Sequence, residues 1–288
     1  MIKYAKFGPG GNSELFASSG HKSSLEAPDW VKDMGLDAYE YECGKGVNAS
    51  LETFAKIGLR AHELGIHMSL HAPYFISLSS VEEQKRLNSV GYIIQSLDAA
   101  RALGAKTIVV HAGSASKIDR SLALEYAKDT IEKTLASTAG QEYADIKIGL
   151  ETMGKINQLG TVDEIIELCK IDERLVPVVD FGHVYARHQG AYVKNSDEIK
   201  EIFYKISSAL GGEVAENMHC HFSCIEYSKG GELRHLTFDN GTFGPDPADF
   251  ASVISELNIS PVVICESAGT QDVDALLMKK HYLKGLGI

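Results

Sequence analysis

Short apolar runs recur along the chain, and each stops abruptly at a His, Glu or Asp followed by small turn residues. Thr107–Gly113 (TIVVHAG) is the clearest, with four apolar or β-branched residues ending at His111. The same pattern appears in His67–Pro73 (HMSLHAP), Lys147–Met153 (KIGLETM), Val176–His183 (VPVVDFGH), Met218–Ser223 (MHCHFS) and Pro261–Ser267 (PVVICES). Such runs predict strands buried on both faces, as a parallel sheet requires. Ile2–Phe7, followed by Gly8-Pro9-Gly10-Gly11, and Ala38–Cys43 add two more.

Helical periodicity fills the intervals between these runs. An amphipathic stretch, Leu25–Met34, ends at Gly35. Ser50 caps a helix through Leu64 that Gly65 closes, with Glu52 in its first turn, and Val81–Leu103 ends at Gly104. Asp119–Leu135 is helical, as is Thr161–Cys169 with Thr161 as cap. Ser196 caps a helix through Leu210 that Gly211-Gly212 terminates. Cys224–Pro245 reads as a long polar loop, followed by helices Pro247–Leu257 and Asp272–Leu283. Strand and helix therefore alternate eight times with no Pro/Ser-rich linker or break in composition. The expectation is one domain over residues 1–288, a closed (β/α)₈ TIM barrel of the α/β class, for which about 250 residues suffice. An open doubly wound sheet is the alternative, but no G-x-G-x-x-G follows the first strand.

Composition narrows the function classes. Of 288 residues, 44% are hydrophobic and 23% charged, ordinary for a globular protein with a sizeable core. The formal net charge of −11 argues against a non-specific DNA binder, although a local basic rim can sit within an acidic total. Cys43, Cys169, Cys220, Cys224 and Cys265 form no C-x-x-C pair, so they read as reduced core thiols in a cytoplasmic protein. The N-terminus has no signal-peptide apolar core, and no run approaches the ~20 residues of a membrane span. The chain reads as a monomer with no membrane association.

A barrel gathers the C-terminal ends of its strands at one mouth, where active sites sit. That would bring together His71, His111, Glu151, Asp180, His183, His219 or His221, and Glu266. Mixed imidazole and carboxylate donors suit zinc, manganese or iron, and carboxylates crowded at one mouth need cations to neutralise them. Two or three ions are expected, bridged by a carboxylate such as Glu151. His219 and His221 lie two apart on one strand and point to the same side. His221, nearer the strand end, is the favoured ligand, with His219 deeper as a supporting or alternative ligand. Glu40 and Glu42 share a face of the second strand, in either a structural ion pair or an active role. His21, His62, His67, His188 and His281 fall off the pattern and read as ordinary histidines.

LHAPY at Leu70–Tyr74, VVHAG at Val109–Gly113, LETMG at Leu150–Gly154, VDFGH at Val179–His183 and the Glu of ICES at Ile264–Ser267 resemble the endonuclease IV family. They occur in that family's order along nearly the whole chain. The resemblance implies a zinc-dependent barrel, with manganese as a possible substitute, that cuts DNA on the 5′ side of abasic sites by metal-activated water. The most specific element is the D-x-x-H of Asp180 and His183, which the family uses as ligands to different ions. By resemblance, His71 and His111 hold the first zinc with Glu151 bridging, and Asp180, His221 and Glu266 complete the second. His183 and His235 hold the third, and Tyr74 sits where the family inserts a side chain into the duplex. Glu151 or Glu266 would orient the nucleophile, and Lys45, Lys117, Lys155 and Lys229 could contact phosphates.

The chain departs from the family at one point. The family's third zinc takes a D-x-H pair, and here Leu233 occupies the carboxylate position of Glu232-Leu233-Arg234-His235. Either Glu232 or Asp239 substitutes after a loop shift, or the third site is weak or empty. Two other readings follow. One is a sugar isomerase or epimerase of the xylose-isomerase-like superfamily with one or two divalent ions, Glu151 and Glu266 acting as ligands and acid–base pair. The other is a non-catalytic metal- or nucleic-acid-binding barrel.

Overall fold

The computed structural model describes residues 4–140 and 142–288. Eight parallel strands form one sheet: β1 (Lys6–Pro9), β2 (Ala38–Glu42), β3 (His67–His71), β4 (Thr107–His111), β5 (Lys147–Glu151), β6 (Leu175–Asp180), β7 (His219–Phe222) and, after a hairpin of β8 (Cys224–Ser228) and β9 (Gly231–Leu236), β10 (Val262–Cys265). Their order is β1-β10-β7-β6-β5-β4-β3-β2, so chain order is kept around the sheet. Between β1 and β2 the ring closes through the parallel bridge Gly10–Glu40, supported by Gly11 N donating to Glu40 O at 2.9 Å. The seam demands a glycine. A Cβ on Gly8 would lie 1.7 Å from the Ala38 carbonyl oxygen, so the two backbones meet closely only because residue 8 has no side chain.

Local chemistry sets most helix ends where the sequence places them. Ser50 accepts from Thr53 N at 3.1 Å, and Gly65 and Gly104 close their helices with φ of 71° and 70°. Asp119 caps Arg120–Ser137, and Thr161 forms a capping box with Glu164. The helices pack apolar faces such as Leu97, Leu103, Ile131 and Ile202 onto the barrel, and Phe181, Phe203, Phe222 and Phe250 form an aromatic cluster beside it. All five cysteines are buried and free. Among the described residues, no helix is long and apolar enough to cross a membrane.

Four expectations are corrected. The first strand covers Lys6–Pro9 rather than Ile2–Phe7, and Ile2 and Lys3 lie outside the described residues. Asn195, not Ser196, caps the helix Ser196–Leu210, its side chain accepting from Glu198 N at 3.1 Å. The sixth strand, expected over Val176–Phe181, covers Leu175–Asp180, and Phe181–Arg187 is a helix started by the Asp180 carboxylate accepting from His183 N. Cys224–Pro245 is not simply a polar loop, because it contains the antiparallel hairpin β8–β9. That hairpin has polar residues on its exposed side and lies over the barrel mouth, so it lacks the apolar alternation that marks the core strands.

Candidate metal centre

Parallel register sets the strand ends abreast. His111 pairs with Glu151 across β4 and β5, and Asp180 pairs with His221 across β6 and β7. Glu151, only 1% exposed, stands at the middle of four imidazoles. Its Oε2 is 3.1 Å from His111 Nε2 and 3.4 Å from His71 Nε2. Its Oε1 is 3.2 Å from His183 Nδ1 and 3.3 Å from His221 Nδ1. Six groups of metal-competent atoms, each within 4.8 Å, lie among the described residues, and three of them divide the mouth ligands: His71, His111 and Glu151; Glu151, Asp180, His221 and Glu266; and His183, Glu232 and His235.

The third group depends on a β-bulge. In the β8–β9 hairpin Tyr227 pairs with Glu232, but Glu226 pairs with Arg234, so Leu233 is an extra residue in β9. Glu232 and His235 are three apart and would face opposite ways in a regular strand. The bulge absorbs one residue and turns both inward, leaving Leu233 54% exposed. Glu232 Oε2 lies 3.5 Å from His183 Nε2, and the His183 and His235 rings sit 5.3 Å apart. The hairpin is pinned there by Glu232 N donating to Gly154 O at 3.1 Å. A Cβ on Gly154 would come within 2.6 Å of Glu232 Cβ, so the glycine of LETMG admits the incoming strand. Asp239, the other candidate, accepts from the Thr237 hydroxyl and lines a separate cavity, away from the centre.

Further hydrogen bonds orient three of the rings. His71 Nδ1 lies 2.8 Å from Ala72 O and His183 Nδ1 2.9 Å from Thr152 O, while His235 Nδ1 meets Ser223 Oγ at 2.8 Å. His221 turns Nδ1 toward Glu151 and Glu266, at 3.3 Å each, and Nε2 toward Glu40 Oε1 at 2.8 Å. His219 lies a layer deeper, its Nε2 2.9 Å from Glu40 Oε2. It therefore stands behind His221 and outside the three groups at the mouth, although with Glu40 and His221 it forms a deeper donor group of its own.

The charges are strongly interdependent. Burial alone would raise the Glu151 carboxyl, but hydrogen bonds to His111, His183, His221 and His71 hold it well below the usual carboxylate range. Burial would lower His71, yet Glu42 and Glu151 outweigh it and push the imidazole up to about 10. Burial pushes Glu266 up to about 8; His221 opposes this, and the charges of Glu151 and Asp180 support it. Asp180 Oδ1 accepts from His183 N at 2.7 Å, whereas its buried Oδ2 has no hydrogen-bond partner. A buried carboxylate oxygen with no hydrogen bond, and only an ion-pair contact to His183 Nδ1 at 3.4 Å, inside a mixed nitrogen and oxygen donor set fits divalent zinc, manganese or iron.

Above the centre opens a cavity of about 280 Å³, lined among others by Tyr74, Lys155, Gln158, Glu232 and Glu266. Tyr74 is 64% exposed on the rim. Larger cavities, of about 710 and 700 Å³, lie at the barrel floor and beside the 237–247 loop and do not contain the mouth ligands.

A family profile described as xylose isomerase-like TIM barrel matches residues 28–281. The chain belongs to this family. It is 33% identical to an uncharacterized protein of Methanocaldococcus jannaschii, over 93% of this chain and 96% of that protein. It is 25% identical to the probable endonuclease 4 of Shouchella clausii, over 81% and 80%. Matches to mycoplasmal proteins of the same name include two that span about half of their length or less. Endonuclease IV from Thermus thermophilus superposes with a TM-score of 0.71 at 18% identity, over 97% of this chain and 99% of that one. A D-tagatose 3-epimerase-like protein superposes equally well, with a TM-score of 0.70 at 19% identity over 97% and 98%.

Within this xylose isomerase-like barrel, the sequence patterns underplay two features of the centre. Glu40 carries no strand-end signal because it lies mid-strand, two residues short of the mouth. Arg187 donates to the carbonyls of Met153, Lys155, Ile156 and Gln158, at 2.7–3.3 Å, and so clamps the loop that carries Lys155 over the mouth. Its role becomes visible only with the helix Phe181–Arg187 in place.

Proposed function

We propose that the chain is a metal-dependent phosphodiesterase that incises DNA on the 5′ side of abasic sites. One observation carries this reading above the others: the third donor group, His183–Glu232–His235, comes together although Leu233 stands where endonuclease IV enzymes have their aspartate. Three clustered donor sets suit a phosphoryl group, with its several charged oxygens, better than a neutral sugar. The relatives named endonuclease 4 support the same choice.

Bound divalent ions would supply Lewis-acid polarisation of the phosphoryl oxygens and lower the pKa of a coordinated water. The chain's own residues do the rest. His71 and His111 would hold one ion, Asp180, His221 and Glu266 a second, and His183, Glu232 and His235 a third. Glu151 belongs to the first two sets and also meets His183 of the third at 3.2 Å, so it fixes their spacing. Glu266, at the edge of the mouth, is placed to orient the attacking water. Lys155 faces the cavity as a phosphate contact, and Tyr74 on the rim is placed to enter the gap left by a missing base.

A sugar epimerase is the second reading. It is favoured by the Glu151–Asp180–His221–Glu266 set, which is complete for one ion by itself, beneath a cavity sized for a monosaccharide. Incision of a duplex carrying one abasic site separates the two. Zinc- or manganese-loaded protein should cut on the 5′ side, while chelated protein and a folded His111→Ala variant should lose at least about a hundredfold in rate. Absence of cutting by fully loaded, folded protein would overturn the nuclease reading in favour of the epimerase.

A further inference from the structure

Glu40 is an unusual residue for a barrel core. It is fully buried, 0% exposed, and a buried carboxylate is costly unless charge and hydrogen bonds compensate it. Three side chains converge on it. Ser69 Oγ donates to Oε2 at 2.6 Å, His219 Nε2 lies 2.9 Å from the same oxygen, and His221 Nε2 lies 2.8 Å from Oε1 in an ion-pair contact without hydrogen-bond alignment. His219 in turn lines the 710 Å³ floor cavity, and its Nδ1 has no hydrogen-bond partner among the described residues. The chain of contacts thus runs from the barrel floor to the mouth: His219, Glu40, His221, then Glu151 and Glu266.

This support differs from that of the neighbouring histidines. His71 and His235 make their supporting hydrogen bonds to neutral partners, a backbone carbonyl and a hydroxyl, whereas His183 Nδ1 meets the Thr152 carbonyl and two carboxylates of the centre itself, Glu151 at 3.2 Å and Asp180 at 3.4 Å. His221 leans on a carboxylate that is itself held from two other directions. A carboxylate this close behind a ligating imidazole holds the ring electrostatically and makes its other nitrogen a stronger donor.

We propose that Glu40, held by Ser69 and His219, is a positioning residue for His221 and strengthens ion binding in the Glu151–Asp180–His221–Glu266 group selectively. The inference rests on the metal-centre reading above but not on the identity of the substrate. The backbone of Glu40 closes the β1–β2 seam, and a side-chain substitution leaves that bridge available.

The test is stepwise metal affinity, measured by chelator competition on whole protein with zinc, together with the visible absorption of the cobalt-loaded form. In Glu40→Gln one ion per chain should bind roughly ten- to a hundredfold more weakly, with an altered cobalt spectrum, while the other affinities stay within about twofold of wild type. Ser69→Ala should shift the same constant in the same direction by a smaller factor, and it decides the matter should Glu40→Gln fail to fold. Unchanged affinities and cobalt spectrum in the folded variant, even with a lowered melting temperature, would show a purely structural role and overturn the proposal. Wild-type protein that binds ions tightly but leaves abasic DNA intact would sink the nuclease reading while leaving this one to the affinities. Wild-type protein that binds no ion would end both.

Discussion

Glu232 reaches the centre because Leu233 is looped out of register, and this single residue decides whether the third donor set exists. Its geometry makes a sharp prediction. Glu232→Gln keeps the size of the side chain and removes its charge, so zinc content after gel filtration should fall from three ions per chain to two, one for each remaining donor group. His183 and His235 alone make a weak site. Leu233→Asp should restore nothing, because that side chain points to solvent, 54% exposed on the outer face of the bulge. Recovery of the third ion in Glu232→Gln/Leu233→Asp would show that β9 can slide back into a regular register. The strand-end histidines and carboxylates could be read from the sequence because each interrupts an apolar run. The replacement of Asp by Glu one residue earlier could not be chosen over Asp239, because periodicity does not report where a bulge falls.

Among the elements, the capping box at Thr161 ties a local signal to the mouth. Glu164 Oε2 accepts from Gly160 N and Thr161 N at 2.9 Å each, and Arg120 grips the same carboxylate while donating to Ile156 and Gln158 carbonyls. Helix start and active-site loop therefore share one acidic group. Burial alone would raise Glu164, but Arg120 and the two amides outweigh it and hold the carboxyl below its ordinary value. A carboxyl depressed in the folded state stabilises above its unfolded pKa and loses that stabilisation as pH falls through its folded value. Glu164→Gln should therefore cost about 1–2 kcal/mol at pH 7. The difference from wild type should fade below pH ~4, where both chains carry a neutral side chain. Urea unfolding at a series of pH values measures it, and a pH-independent difference would contradict the ion-pair account. The Thr161 cap was legible because its signal is local, although that signal did not mark Glu164 as its partner. The hairpin β8–β9 was not legible, since its exposed polar faces and Lys229-Gly230 turn look like any loop until the barrel beneath gives it something to cover.

For the whole molecule, net charge sets the terms on which it can approach nucleic acid. At −11 the protein repels a polyanion, and the mouth itself concentrates carboxylates. The ions must then serve binding as well as chemistry. Chelated protein should bind a nicked product duplex at least about tenfold more weakly than zinc-loaded protein at low salt, and the gap should narrow as salt screens the repulsion. Fluorescence anisotropy checks this, and equal affinity with and without zinc would mean that another surface carries the duplex. By itself the sequence determined the alternation of strand and helix, most helix caps and nearly all the residues at the mouth. These are short-range signals: apolar period, capping chemistry and the position of a polar residue at the end of a run. Tertiary structure decided how those residues are partnered. It selected Glu232 through a bulge, and it seated Glu40 against His219 from 179 residues away, leaving His221 as the imidazole that faces the mouth. Contacts of that span depend on ring closure at the Gly8 seam and on strand register, which no local pattern encodes.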